Sequence, residues 1–397
     1  MEDSVTALLE EAKQASRPLG TLSTEARRSI LRGMADAIRK ATPGLLKANR
    51  PDVESLPIDD PRRDRLALTE ARIEDVANGI EAVAALPDPL WETLEERAMP
   101  SGIHVRRVRV PLGSIGCIYE ARPNVTADIA ALCLMTGNAA VLKGGHEAHR
   151  TNEAMVTAIR NALRNAGLPE ASVTLLPPDR AAANTLMTAR GLIDVLIPRG
   201  SAGLIRAVRE QATVPIIETG AGVCHIYVHE DADIELAARV VTNAKTRRVS
   251  VCNALDCLLV HDSLKDRLEE ILAPCRAKGV TVHDNPATAG REWLSMQMTV
   301  LTVSSLDAAL DHIAHFGSGH SESIVTRSPE AAARFQREVD AACVYVNTPT
   351  SFTDGGCFGL GAEVGISTQK LHARGPMGLT ALTTCKWLID SDGALRP

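Results

Sequence analysis

Between Ala139 and Glu218 short apolar runs alternate with helical stretches, and no other feature of the sequence narrows its fold so far. The runs Ala139–Leu142, Val173–Leu176, Val195–Ile197 and Pro215–Ile217 are continuous rather than alternating, as expected of strands covered on both faces, and the spacing between them suits parallel βαβ units. The helix expected over Asn152–Ala166 shows how the sheet is covered. Met155, Ile159 and Leu163 form one apolar stripe, Arg160 and Arg164 lie off it, and Gly167 ends it. After Gly222 a second series begins, with strands expected at His225–Val228, Leu255–Val260, Val280–Val282, Thr299–Val303 and Ile324–Thr326 and helices over Asp233–Thr246 and Leu306–Ala314. A chain of 397 residues with 45% hydrophobic content exceeds what one core usually organises, so two α/β domains are expected.

The first ninety residues read as helices over Val5–Ala15, Ser23–Ala41 and Thr69–Leu86, separated by Pro51, Pro57 and Pro61. Ile103–Val110 alternates with period two, a strand exposed on one face that is available to pair with another subunit. From Gly355 to Gly378 glycine is frequent, and Phe358, Leu360, Leu371 and Met377 are the expected apolar anchors of ordered loops. Met1-Glu2-Asp3-Ser4 has no basic, apolar leader pattern, and no apolar run approaches the roughly 18 residues of a membrane span. A formal charge of -6 with interleaved signs argues against a nucleic-acid surface. Nine cysteines without metal-type pairs suit a reducing, cytoplasmic compartment.

One cysteine stands apart. Cys252, in Arg248-Val249-Ser250-Val251-Cys252-Asn253-Ala254, lies where a helix gives way to an apolar strand, a place that presents a thiol to solvent. Lys245, Arg247 and Arg248 are near it in sequence; the alternative is a buried small hydrophobe, as expected of Cys257 in mid-strand. In the loop Tyr119-Glu120-Ala121-Arg122-Pro123-Asn124-Val125-Thr126, Asn124 is placed either to donate to an oxyanion or to cap the following helix. Lys143-Gly144-Gly145 leaves a buried strand with a cation and two glycines, and Pro198-Arg199-Gly200-Ser201-Ala202-Gly203 leads from another strand into another helix, so both turns suit phosphate or ribose. No G-x-G-x-x-G follows these strands, no G-x-S-x-G marks a serine hydrolase, and the pairs His146/His149 and His312/His315 lack a third ligand, so no metal site is expected.

With Cys224-His225-Ile226-Tyr227-Val228, Gly317-Ser318-Gly319-His320-Ser321-Glu322 and the long run from Gly359 to Gly378, these motifs resemble the gamma-glutamyl phosphate reductase (glutamate-5-semialdehyde dehydrogenase) family of the aldehyde dehydrogenase superfamily, from about Leu86 to Ile389. The resemblance implies an aldehyde dehydrogenase-like α/β fold with two doubly wound domains and a small oligomerisation element. It divides the chain into a cofactor domain over 1–222 with a β excursion near 99–112, a catalytic domain over 223–361, and a tail with an oligomerisation element over 362–397. It makes Cys252 the nucleophile, Asn124 the oxyanion donor and Glu218 a base or a bystander. Lys143, Gly144, Gly145, His146, Arg199, Gly200, Ser201, Gly220 and Glu292 would meet NADPH, and Arg122, Thr350 and Ser351 the substrate.

The implied reaction is NADPH-dependent reduction of the acyl phosphate L-glutamate 5-phosphate in proline biosynthesis, by a homo-oligomer coupled to glutamate 5-kinase. NADPH rather than NADH follows from His146, where NAD-specific relatives often carry a carboxylate. The alternatives are an oxidative NADP-dependent aldehyde dehydrogenase, with Glu218 activating water, and a non-catalytic relative. Four places depart from the family pattern: Arg247-Arg248-Val249 for Gln-Arg-Pro, His146 for serine, Cys357 for an acidic or amide residue, and Ser351 for an arginine that would grip a substrate anion.

Overall fold

The computed structural model describes residues 2–60, 62–120 and 122–396; Met1, Pro61, Ala121 and Pro397 lie outside the described residues, and with them the boundary expected at Pro61 and the Ala121 position of the 119–126 loop. Along the chain come helices α1 (Glu2–Leu19), α2 (Thr24–Lys40), α3 (Thr42–Glu54), α4 (Arg62–Leu66) and α5 (Glu70–Ala85). Then follow β1 (Thr93–Ala98), β2 (Ile103–Pro111), β3 (Ser114–Tyr119), α6 (Pro123–Met135), β4 (Ala139–Lys143), α7 (His149–Asn165), β5 (Val173–Leu175), α8 (Arg180–Thr188), β6 (Val195–Arg199) and α9 (Ala202–Gln211). The second series is β7 (Cys224–Val228), α10 (Ile234–Thr246), β8 (Leu255–His261), α11 (Leu268–Ala277), β9 (Thr281–His283), β10 (Gln297–Val303), α12 (Leu306–Phe316), β11 (Ser321–Val325), α13 (Pro329–Glu338) and β12 (Cys343–Val346). The short strands β13 (Ile366–Ser367) and β14 (Gly375–Pro376) and the long strand β15 (Thr383–Ser391) complete it.

The chain forms two compact units. One comprises Met1–Ile217, Gly359–Gly365 and Met377–Pro397; the other comprises Glu218–Phe358 and Ile366–Pro376. In the first, a parallel sheet runs in the order β5-β4-β3-β6. The stripe Val5, Leu9 and Ala12 of α1 packs with Ile118, Val141 and Leu196 from that sheet. Polar residues start the helices where the sequence leads one to expect them: Ser23 Oγ accepts from Ala26 N and Thr69 Oγ1 from Arg72 N. The central strand β3 is fully buried, and the sequence does not mark it because Ser114 and Gly116 interrupt its apolar run.

Three further expectations are corrected. Pro51 does not separate helices but lies inside the last turn of α3, which continues to Glu54 without a Pro51 amide to bond the preceding turn. Pro215–Ile217 is no strand: it meets β6 at one bridge, Leu196 with Ile216, since Pro215 has no N–H to extend a ladder. The strand Ile103–Pro111 exists, but β1 and β15 occupy both its edges in an antiparallel three-stranded sheet, so it has no edge to offer another subunit. Of the four tail anchors, Met377 is buried while Phe358 and Leu371 are exposed.

The second unit holds six parallel strands in the order β12-β11-β7-β8-β10-β9. Alternation sorts its side chains between two cores. Ile226, Val228, Leu258 and Val260 join residues of α10 and α11 on one face, and Tyr227, Cys257, Leu259 and Ile324 join residues of α12 and α13 on the other. Cys257 is fully buried, as its mid-strand position predicts.

Candidate active site

Residues 247–254 form the turn from α10 into β8, and Cys252 is half-buried there at the amino end of the parallel sheet. Two neighbours hold this turn. The Cys252 carbonyl accepts from Cys224 Sγ at 3.2 Å. It also passes so close to Gly222 that a Cβ on residue 222 would stand 1.6 Å from the carbonyl oxygen, which makes glycine obligatory there. Behind the turn, Asn253 Nδ2 donates to Ser351 O (3.3 Å) and Thr353 O (2.9 Å), while Thr350 Oγ1 donates to Asn253 O (2.8 Å). The 350–353 turn is thereby strapped to the residue that follows the thiol.

The sulfur meets a residue to which the sequence assigns no role. Cys252 Sγ is 3.2 Å from Nε2 of His320, which precedes β11 and is fully buried. His320 Nδ1 lies 2.8 Å from Ser321 Oγ, Ser321 Oγ 2.6 Å from Thr353 Oγ1, and Thr353 Oγ1 2.7 Å from Tyr345 Oη. Burial pushes the His320 pKa down to about 4, so the imidazole is neutral at physiological pH. The tautomer that donates Nδ1–H to Ser321 leaves the Nε2 lone pair to accept the thiol proton. The only local signal for this pairing is a histidine between the Gly317–Gly319 turn and a buried strand.

Lys245, which stands near the thiol in sequence, is committed elsewhere. It is fully buried, donates to Leu255 O at 2.8 Å, lies 3.6 Å from Asp256 Oδ1, and burial lowers its pKa. Arg247 and Arg248 are exposed at the carboxyl end of α10. Ser351 is buried, its Oγ 3.3 Å from Asn243 Oδ1. Glu292, half-buried and with its pKa raised by desolvation, accepts from Gly222 N at 3.1 Å. Glu218 N donates to Gln369 Oε1 at 3.0 Å, and Gly220 N to Ile366 O at 3.1 Å.

The other expected residues belong to the first unit, at the carboxyl ends of its strands. Lys143, half-buried at the end of β4, donates to Pro178 O at 3.0 Å; burial lowers its pKa against the carboxylates of Asp179 and Glu147. A Cβ at residue 144 would strike Asn152 Nδ2 at 2.2 Å, and one at residue 145 would meet the Glu147 carboxylate at 2.5 Å, the movable end of a flexible side chain. His146 is exposed in the short 3₁₀ turn that follows. The helix start after β6 already meets an anion of the protein itself: Ser201 N and Oγ donate to Glu120 at 2.8 and 3.0 Å. Arg199 is likewise engaged, donating to Glu363 O (3.1 Å) and Val364 O (2.6 Å). Asn124 is not the helix cap, a position held by Arg122; it sits in the first turn of α6, exposed, with Nδ2 donating to Asp128 Oδ2 at 3.0 Å. Both turns therefore already hold a carboxylate of the protein, Glu147 beside Gly145 and Glu120 at Ser201, and at the second an incoming phosphate would have to displace Glu120.

The aldehyde dehydrogenase family model matches residues 1–290, and the chain belongs to that family of NAD(P)-using oxidoreductases. Within it, the gamma-glutamyl phosphate reductases are the relatives at hand. The enzyme of that name from Chlorobium limicola is 48% identical over 416 aligned residues covering all of both chains, and that from Parabacteroides distasonis is 48% identical over 99% of this chain and 100% of its own. The crystal structure of gamma-glutamyl phosphate reductase from Thermotoga maritima superposes with a TM-score of 0.96 at 39% identity, covering 99% of this chain and 100% of that one.

Proposed function

We propose that this protein reduces L-glutamate 5-phosphate to L-glutamate 5-semialdehyde and phosphate with NADPH, the second step of proline synthesis from glutamate. The observation that carries the reading is Cys252, half-buried with its sulfur 3.2 Å from the neutral imidazole of His320, in a chain so similar to named reductases along its whole length. In the first step Cys252 Sγ attacks the acyl carbon while His320 Nε2 accepts the thiol proton. The oxyanion so formed needs a preorganised donor, a role the family resemblance gives to the Asn124 side-chain amide. The C–O bond to phosphate breaks, phosphate departs, and the acyl group remains as a thioester on Cys252. NADPH supplies a hydride to that carbonyl when bound. The resulting thiohemiacetal collapses, releasing the aldehyde and returning the sulfur to His320 as thiolate or thiol.

Within this reading Lys143, Gly144, Gly145 and His146 hold the adenosine ribose and its 2′-phosphate, and Glu292 holds the second ribose. NADPH preference rests on Lys143 and His146, against which Glu147 works as a neighbouring carboxylate. Arg122, Thr350 and Ser351 belong to the substrate side, with Thr350 acting through its bond to Asn253. No step requires water, which leaves Glu218 a bystander. Such a substrate calls for a glutamate 5-kinase as supplier, and the nine thiols suit the cytoplasm. Among the described residues no helix is long and apolar enough to cross a membrane.

The test is the reverse reaction, NADP reduction with glutamate semialdehyde in the presence and absence of phosphate. Turnover that requires phosphate and disappears in Cys252→Ala supports the assignment. Phosphate-independent oxidation would move it to a hydrolytic aldehyde dehydrogenase, and NADP binding without turnover to a non-catalytic relative.

A further inference from the structure

His225 on β7 and Cys257 on β8 are register partners, so both project from the same face of the second unit's sheet. That face is covered by α12, from which His312 descends onto the pair. Cys257 Sγ lies 3.7 Å from His312 Nε2, the rings of His225 and His312 meet edge to face with centroids 5.4 Å apart, and ligand atoms of the three residues lie within 4.8 Å of one another. His225 is fully buried, and Glu322 fixes its ring: Oε2 accepts the backbone N–H at 2.6 Å and stands 3.2 Å from Nδ1. The other nitrogen, Nε2, has no hydrogen-bond partner. A buried imidazole with Nδ1 held by a carboxylate and Nε2 unpartnered beside a thiol and a second imidazole is the arrangement that ligates metals, the carboxylate serving as the outer-sphere orienting group.

We propose that His225, Cys257 and His312 form a zinc(II) site, with His225 Nε2, Cys257 Sγ and His312 Nε2 as ligands and Glu322 orienting His225. The spacing suits it: bonds of about 2.3 Å to sulfur and about 2.0 Å to nitrogen at tetrahedral to trigonal angles separate the two donors by roughly 3.5–3.7 Å. The mixed thiolate–imidazole set favours a borderline-soft cation over magnesium or calcium. The half-buried His312 provides the entry path and leaves the fourth position to water. Neither histidine pairs in sequence with another ligand at zinc-finger spacing. The three converge only because two strands are in register beneath one helix.

The site is tested in full-length Cys252→Ala protein, which removes the Cys252–His320 pair as a competing thiol–imidazole ligand set. Titration with Co(II), the spectroscopic stand-in for zinc, should give one equivalent bound with tetrahedral d–d bands and a thiolate-to-metal charge-transfer band. Zn(II) should abolish these bands by displacement, and protons should be released on binding. His312→Gln, at a half-buried position that tolerates change, should lower the affinity by at least about 10-fold, the scale that outer-sphere partners alone contribute. Cys257→Ala should remove the charge-transfer band. Absence of that band in the Cys252→Ala protein, or its persistence at unchanged affinity in His312→Gln and Cys257→Ala proteins with native circular dichroism, would overturn the proposal.

Discussion

Replacing His320 with alanine isolates the step on which the proposed mechanism turns. An unassisted thiol with the ordinary pKa of about 8.5 is about 3% ionised at pH 7, so a base that takes the proton as sulfur attacks can supply up to about 30-fold at that pH. His320 Nε2 stands 3.2 Å from Cys252 Sγ with a lone pair free to take that proton; burial, which pushes its pKa down to about 4, makes the isolated imidazole a weak base, and the negative charge of a thiolate formed beside it acts in the opposite direction. His320→Ala should therefore slow alkylation of Cys252 by iodoacetamide by roughly 10- to 30-fold at pH 7. The gap should close above about pH 9.5, where bulk hydroxide ionises most of a free thiol. The assay reads Cys252 by peptide mapping, because Cys357 and Cys385 are exposed and would react as well. Equal rates across the pH range would refute a proton-accepting role. A deficit that persists undiminished at pH 10 would show instead that His320 acts by shaping the turn.

Four further outcomes are expected. Gly222→Ala should displace the Cys252 turn, because its Cβ would stand 1.6 Å from the Cys252 carbonyl oxygen; thiol reactivity should fall and the melting temperature drop, and unchanged values of both would contradict the obligatory close approach. Glu147→Gln removes a carboxylate beside Gly145, and since two unit charges about 4 Å apart in water interact by about 1 kcal/mol, the NADPH-to-NADH ratio of kcat/KM should rise roughly fivefold. Ser351→Arg, instead of simply restoring a family cation, must fit a long side chain into a buried position beside Asn243 and should destabilise the protein by about 1–3 kcal/mol in chemical denaturation; an unchanged midpoint would show that the turn accommodates it. Finally, the His320 pKa is depressed to about 4, so its contribution to stability is present above about pH 6.5 and is lost as pH falls through 4, by about 3 kcal/mol at most. Asp256, raised by burial to about 6, opposes this by losing stability as pH rises from 4 to 6, so the comparison of His320→Gln with the parent, not the parent alone, should show the flattened acid limb.

Local pattern in the sequence is sufficient for the amphipathic helices and most buried parallel strands, because the spacing of apolar residues within a helix or strand follows from which face must leave water. The Met155, Ile159 and Leu163 stripe of α7 and the runs that became β4, β7 and β8 belong to this class, and so does Cys252 at the end of a helix ahead of a strand. The turn Lys143-Gly144-Gly145 is equally visible, since a cation and two glycines after a strand are a local fact. The strand β3 escapes for the same reason that the others appear: with both faces covered and a glycine within it, it has neither alternation nor a long apolar run. The partners of each polar group were decided only in three dimensions. His320 reaches Cys252 from 68 residues away, Lys245 turns from the neighbouring thiol to Leu255 and Asp256, Glu120 occupies the helix start at Ser201, and His225, Cys257 and His312 meet under one helix. Burial of apolar surface is summed over a local stretch and leaves its mark on that stretch, whereas a hydrogen bond or an ion pair depends on two atoms coming within about 3 Å, which strand order and register alone determine.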